Sequence, residues 1–247
     1  MVFLVDAHCH LEHPRLEGRI AEIIRRARAA GVERAVSAGS NLKNNAKILA
    51  LAAEHADFIR PLAGLSPHDA NSESLEENLT FIKHNKSGLA GIGEIGLDYH
   101  HFKKPEERGK QQAVFEAQLA LAEELGLAAV IHSRDAEKEV TTTLKGFGCH
   151  VVMHCFLKPT LAKECAARGY FISIPTVDCA ERKETIAAVP LENLLCETDS
   201  PYLWRQGLNE PAHVRTVYEE IARVKGTDFN KVAEVVYSNA RRAFEGL

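Results

Sequence analysis

The chain has 247 residues, 45% of them hydrophobic and 26% charged, the composition of an ordinary folded domain, which excludes disordered, collagen-like and low-complexity architectures. Thirty Lys and Arg against 34 Asp and Glu leave a formal net charge of -4, so no global basic field draws the chain to nucleic acid or to an anionic membrane, and any polyanion must be held locally. The six cysteines include no CxxC pair, the apolar run before Asp6 is too short for a signal-peptide core, and no later run is long enough to span a bilayer, so a cytoplasmic protein without disulfides or a zinc ribbon is expected.

Along the chain, short β-branched runs at 3–6, 34–38, 60–65, 89–94, 128–132, 150–154, 170–174 and 194–197 alternate with longer helix-periodic stretches, among them 15–30, 43–55, 106–125 and 211–225. Gly31, Gly126, Gly169 and Gly226 supply C-terminal stop signals. Eight strand-helix units in a chain of this length predict a single α/β domain over residues 1–247, a (β/α)8 TIM barrel, with a doubly wound open sheet as the alternative. No linker, charge block or longer repeat divides it.

Metal-type ligands recur where these strands end. Asp6-Ala7-His8-Cys9-His10 follows the first strand, and residues two apart on an extended chain share a side, so His8 and His10 can reach one metal while Cys9 points away into packing. Glu94 ends the fourth strand, His132 the fifth, His154 the sixth, and Glu197-Thr198-Asp199 the eighth. In a barrel the carboxyl ends of all strands meet on one face, which makes the combination far more specific than any single motif.

These strings, DAHCHL at 6–11, GEIGLDY at 93–99, IHSRDA at 131–136, MHCF at 153–156, ETDSPYL at 197–203 and NEP at 209–211, resemble the TatD family of metal-dependent hydrolases, described as deoxyribonucleases within the amidohydrolase-like barrels. The resemblance spans nearly the whole chain. It implies that His8, His10 and Asp199 bind one divalent metal, that His132 and His154 bind a second, and that Glu94 bridges the two, with Asp199 also taking a proton from the attacking water. A carboxylate has two oxygens for two cations, whereas a neutral imidazole offers one lone pair, which suits Glu94 to the bridge. Metal binding can lower the pKa of water from about 15.7 to about 7, so the metals are expected to supply the nucleophile. Imidazole donors favour zinc, manganese, nickel or iron, while the family is usually described as magnesium-supported.

The expected activity is hydrolysis of phosphodiester bonds in DNA, with the family adding 3′-5′ exonuclease action on a single strand or 3′ end and a link to DNA repair or degradation. A small-molecule amidohydrolase or lactonase using the same metals is the alternative, and a non-catalytic metal-binding partner protein is a third reading. A monomer is expected. The substrate side departs from the family pattern at Ser66, Leu157-Lys158 and Leu208. His68 either polarises a phosphate oxygen or bonds within its loop, and Arg134 either clamps a phosphate or pairs with a neighbour such as Asp135. Lys103, Lys104, Arg108 and Lys110 read as a solvated face, Trp204 as loop packing or a base-stacking platform, and His100, His101 and the remaining histidines carry no role.

Overall fold

The computed structural model describes residues 3–247. Eight strands, β1 (Leu4–Cys9), β2 (Val32–Ala38), β3 (Ile59–Ala63), β4 (Gly91–Asp98), β5 (Ala128–Arg134), β6 (Val151–Met153), β7 (Phe171–Ile174) and β8 (Leu194–Cys196), form one sheet in chain order. All seven consecutive pairings are parallel. Between them run α1 (Ile20–Ala29), α2 (Leu42–Glu54), α3 (Leu75–Asn85), α4 (Pro105–Leu125), α5 (Glu137–Thr143), α6 (Pro159–Ala167) and α7 (Ala180–Ala188), with α8 (Arg215–Lys225) and α9 (Phe229–Ala243) after the last strand. This is the expected α/β barrel. None of the described helices is long and apolar enough to cross a membrane.

Strand alternation divides the core into two layers. Val5, Val36, Leu62, Val130, Val152 and Leu195, one from each of six strands, pack together and fill the barrel, while Ala35, Ile59, Ala129, Ile131, Ile172 and Leu194 join the layer shared with the helices. The helix caps follow the sequence signals: Asn41 and Ser74 accept from backbone N–H groups of the first turns of α2 and α3. Gly126 closes α4 and Gly226 closes α8 in the left-handed conformation. The predicted helix over 15–30 is interrupted, because a 3-10 turn at Pro14–Leu16 precedes α1 and the chain turns through Gly18 at φ +72°.

Three register shifts interrupt the strand ladders, one at the start of β1, where Leu4 faces Val32 and Val5 faces Arg34, and two nearer the carboxyl ends. In β1 the register moves from Asp6 opposite Ala35 to Cys9 opposite Ser37, and in β4 from Ile92 opposite Ala129 to Ile95 opposite Ile131. Each of these two later bulges inserts one residue and re-aims the side chains beyond it, and they fall on the segments that contain His8 and Glu94.

The sheet closes where β8 meets β1 with few ladder bonds. At the carboxyl end, Asp199 N–H donates to His8 O at 2.9 Å and His10 N–H to Ser200 O at 2.7 Å. The buried Asp6 carboxylate accepts from Thr198 N–H at 2.8 Å and from its hydroxyl at 2.6 Å. Further down, the fully buried Tyr218 of α8 inserts its hydroxyl, which accepts from Val5 N–H and donates to Val5 O, both at 3.0 Å. Tyr218→Phe should therefore strand both backbone groups of Val5. At about 1–3 kcal/mol for each buried unpaired group, the denaturant midpoint should fall by the equivalent of about 2–6 kcal/mol, and an unchanged midpoint would show that another group serves this seam.

Candidate metal centre

The barrel places all six expected ligands at one end. His8 lies within β1 and His10 just past it, Glu94 within β4, His132 within β5, His154 one residue beyond β6, and Asp199 three residues beyond β8. Gly96 makes this convergence possible, since at φ +139° an added Cβ would sit 2.0 Å from His132 O. Only glycine lets β4 approach β5 so closely. Asp199 itself is held at φ +54°, a left-handed conformation that Asp tolerates better than most residues.

Glu94 sits at the centre with its two oxygens divided between two histidine pairs. Oε2 is 3.9 Å from His8 Nε2 and 3.5 Å from His10 Nε2. Oε1 is 2.6 Å from His132 Nδ1 and 3.9 Å from His154 Nε2. Asp199 Oδ1 faces the first pair, 3.4 Å from His10 Nε2 and 3.9 Å from His8 Nε2. The overlapping triads His8-His10-Glu94, Glu94-His132-His154 and His8-His154-Asp199 each bring their ligand atoms within 4.8 Å of one another, the spacing of groups that could hold an ion.

Three of the outward nitrogens lie beside groups that can orient the rings, while His8 Nδ1 has no partner among the described residues. His10 Nδ1 is 3.0 Å from Ala38 O, His154 Nδ1 is 2.9 Å from the buried Glu197 carboxylate, and His132 Nε2 is 3.4 Å from buried Asp98. Such outer partners fix which imidazole lone pair faces a metal. Asp98 also receives His101 Nδ1 at 2.8 Å and His68 Nε2 at 3.2 Å. Glu197→Gln should weaken divalent-metal affinity by about 10- to 100-fold with little change in fold. Calorimetric titration would check it, and full affinity in the variant would contradict the orienting role.

Electrostatics at the site favour added positive charge. Among the described residues, every ion-pair partner of Glu94, Asp98, Glu197 and Asp199 is a histidine. Burial alone would raise the Glu94 carboxyl, but the imidazoles of His132, His154 and His10 outweigh it and hold it well below the usual range. Burial would likewise lower His10 and His132, yet Asp199 and Glu12 for the first, and Glu94 and Asp98 for the second, push each up to about 10. In the cation-free protein these two rings carry protons, taking the charge that divalent ions would supply. Buried imidazole and carboxylate donors with no Lys or Arg among them fit such ions.

The centre opens into a cleft of about 660 Å³ lined by His68, Arg134 and Tyr202 among others, large enough for the end of a chain molecule. Arg134 makes no ion pair among the described residues, because Asp135 pairs instead with His100 at 3.0 Å. His68 is half exposed and sits against Asp98. Trp204 lies outside this cleft, stacked on His213 at 4.1 Å between ring centroids, so the loop-packing reading holds. Tyr202, 43% exposed, is the aromatic at the cleft mouth. Lys110 donates to Asn71 O and Arg108 covers the Tyr99 ring, so both tie down their loop. Cys9 points into the core and donates to Val36 O at 3.4 Å.

Sequence reasoning passed over Asp6, Asp98, His101 and Glu197. Asp98 had a signal, since it stands four residues past Glu94 on one strand and so shares its face, but the predicted strand ended at 94 and left it out. Asp6 and Glu197 lay inside the motifs without a role.

Comparison with known proteins places residues 5–245 under a family model described as TatD related DNase. The chain is 37% identical over 257 residues to the uncharacterized metal-dependent hydrolase YabD of Bacillus subtilis, covering 98% of both chains. It is 35% identical to the 3′-5′ ssDNA/RNA exonuclease TatD of Erwinia tasmaniensis, covering 90% of this chain and 92% of that one. Among solved structures, the TatD homologue YJJV of Escherichia coli K12 superposes with a TM-score of 0.89 at 25% identity, over 99% of this chain and 98% of the other.

Proposed function

The chain belongs to the TatD-related DNase family, and on that premise we propose that it is a divalent-metal-dependent hydrolase that removes nucleotides from the 3′ end of single-stranded DNA. The observation that carries this reading is Glu94, whose two oxygens are divided between His8-His10 and His132-His154, the arrangement expected of a bridging carboxylate. The 35% identity to the Erwinia 3′-5′ ssDNA/RNA exonuclease TatD supports the polarity.

In this reading His8, His10 and Asp199 would hold one ion and His132 and His154 a second, with Glu94 offering an oxygen to each pair, the ions being zinc, manganese or magnesium. Two bound cations would supply Lewis acidity toward water and the phosphoryl oxygens. Asp199, whose Oδ1 faces His10 and His8 as a ligand atom would, accepts the proton released from the attacking water on its other carboxylate oxygen. Arg134, free of an internal partner among the described residues, donates to a phosphate oxygen of the bound strand. His68, held by Asp98, faces the same phosphates. The protein acts as a monomer in the cytoplasm.

The test is incubation of metal-stripped protein with 5′-labelled single-stranded DNA under added magnesium, manganese or zinc, beside Glu94→Ala prepared identically. A ladder shortening from the 3′ end, dependent on metal and absent in the variant, is the expected result. Failure to cleave with any metal, together with turnover of dihydropyrimidine or lactone substrates, would overturn it.

Metal uptake should also depend on pH in a defined direction. His10 and His132, both raised to about 10 in the cation-free protein, must lose protons before they can ligate. Apparent affinity should therefore rise from pH 6 to pH 8, with protons released on binding. Calorimetry in buffers of different ionisation enthalpy reads both, and a flat affinity over that range would contradict the assignment of these rings as ligands.

A further inference from the structure

Two acidic groups of the cleft have no role in the proposed hydrolysis, and of these Asp69 is bonded to Asn41 and Ser66 within its own wall. Glu12 lies two residues past His10, is 3% exposed and lines the cleft, and its Oε2 is buried without a hydrogen-bond partner among the described residues. Its neighbour does not supply one: His10 Nδ1 is 3.8 Å from Oε1 and is already engaged with Ala38 O. Resting on the nuclease reading, we propose that Glu12 accepts a hydrogen bond from the terminal 3′-hydroxyl of the strand and so selects free 3′ ends.

The chemistry narrows the partner. A carboxyl group keeps an acceptor oxygen whether or not it is ionised, so a group that donates can meet it in either state. A phosphodiester has no donor. Along a DNA strand the donors are the base N–H groups and the terminal hydroxyl, and of these the hydroxyl lies on the sugar beside the bond to be cut. Glu12 is correspondingly close to the centre, its contact His10 standing 3.5 Å from Glu94.

Charge and topology agree with this. Among the described residues, Arg134 is the only Lys or Arg in the cleft lining, and it comes from β5, four strands away from β1 in an eight-stranded ring, which is the opposite wall. A strand can then lie with its internal phosphates toward Arg134 and its terminal nucleoside toward Glu12, where Tyr202 also lines the wall. A phosphate on that 3′ oxygen would instead meet the acidic wall of Glu12 and Asp199, where the cleft lining has no arginine or lysine.

The test measures binding of three probes to metal-loaded wild type and Glu12→Gln: 2′-deoxyadenosine 5′-monophosphate, its 2′,3′-dideoxy analogue, and the 3′,5′-bisphosphate. Cleavage of oligonucleotides ending in 3′-hydroxyl, 3′-hydrogen or 3′-phosphate is followed in parallel. Wild type should prefer the 3′-hydroxyl probe over the dideoxy one by about 10- to 100-fold, the range for a hydrogen bond to a charged group. Glu12→Gln should bind the dideoxy probe as wild type does, lose most of the hydroxyl preference, and take the bisphosphate more tightly. Equal wild-type affinity for hydroxyl and hydrogen ends, an equal loss for all three probes in the variant, or a preference that follows the base instead of the 3′ group would overturn the proposal. The predicted binding order without any oligonucleotide cleavage would overturn the nuclease reading and leave the role of Glu12 standing. Cleavage without that order would do the reverse, and neither binding nor cleavage would remove both.

Discussion

If two ions bind as proposed, Glu94→Gln should reduce turnover by about 10³-fold or more and lower the bound metal toward one ion per chain. The substitution keeps the size of the side chain but replaces one oxygen by an amide nitrogen that cannot ligate. Either orientation of the amide then deserts one of the two histidine pairs that Glu94 faces at 2.6–3.9 Å. Lewis-acid stabilisation is worth several kcal/mol, and each increment of about 1.4 kcal/mol is tenfold in rate, which gives the expected magnitude. Metal analysis of the dialysed variant beside its cleavage rate checks both parts. Wild-type activity with two ions bound would show that Glu94 does not bridge.

Asp199→Asn is expected to separate ligation from proton transfer. Asn retains an oxygen that can face His8 and His10, and it tolerates the left-handed backbone at φ +54° as well as Asp does, so the turn after β8 should survive. What it lacks is the capacity to accept a proton from water, a role worth about 10²- to 10⁴-fold in rate. The variant should keep its thermal midpoint and at least one metal ion while losing turnover by that factor. Unchanged turnover would contradict the assigned role, and loss of all metal would show that ligation outweighs base action at this position.

The strand-helix rhythm and the candidate ligands were both legible in the linear chain because each depends on local chemistry. Apolar runs, glycine stops and strand-end histidines need no knowledge of distant partners to be recognised. The boundaries were less legible. β4 continues to Asp98, four residues past its predicted end, because its second half is stabilised by pairing with β5 from Ile95 opposite Ile131 to Asp98 opposite Arg134, and pairing across sequence leaves no local mark. The same holds for His101, which looked like a solvated loop histidine until the fold brought it 2.8 Å from Asp98.

Arg134 and Trp204 show the limit from the other side. Their residue types suggested phosphate contact and base stacking, but only packing determines which partner each finds. Asp135 turned to His100 and left Arg134 without an ion pair among the described residues, while Trp204 stacked on His213 outside the cleft and Tyr202 took the mouth.

By itself, then, the sequence determined the architecture and the six candidate ligands, since periodicity and ligand type are properties of short segments read in order. The tertiary structure alone decided how those ligands divide around Glu94, which buried carboxylates orient them, and that Glu12 faces the cleft with an oxygen left unbonded. Those outcomes depend on two bulges, a glycine that lets β4 approach β5, and the closure of β8 against β1. Each is an interaction between segments that folding alone brings together.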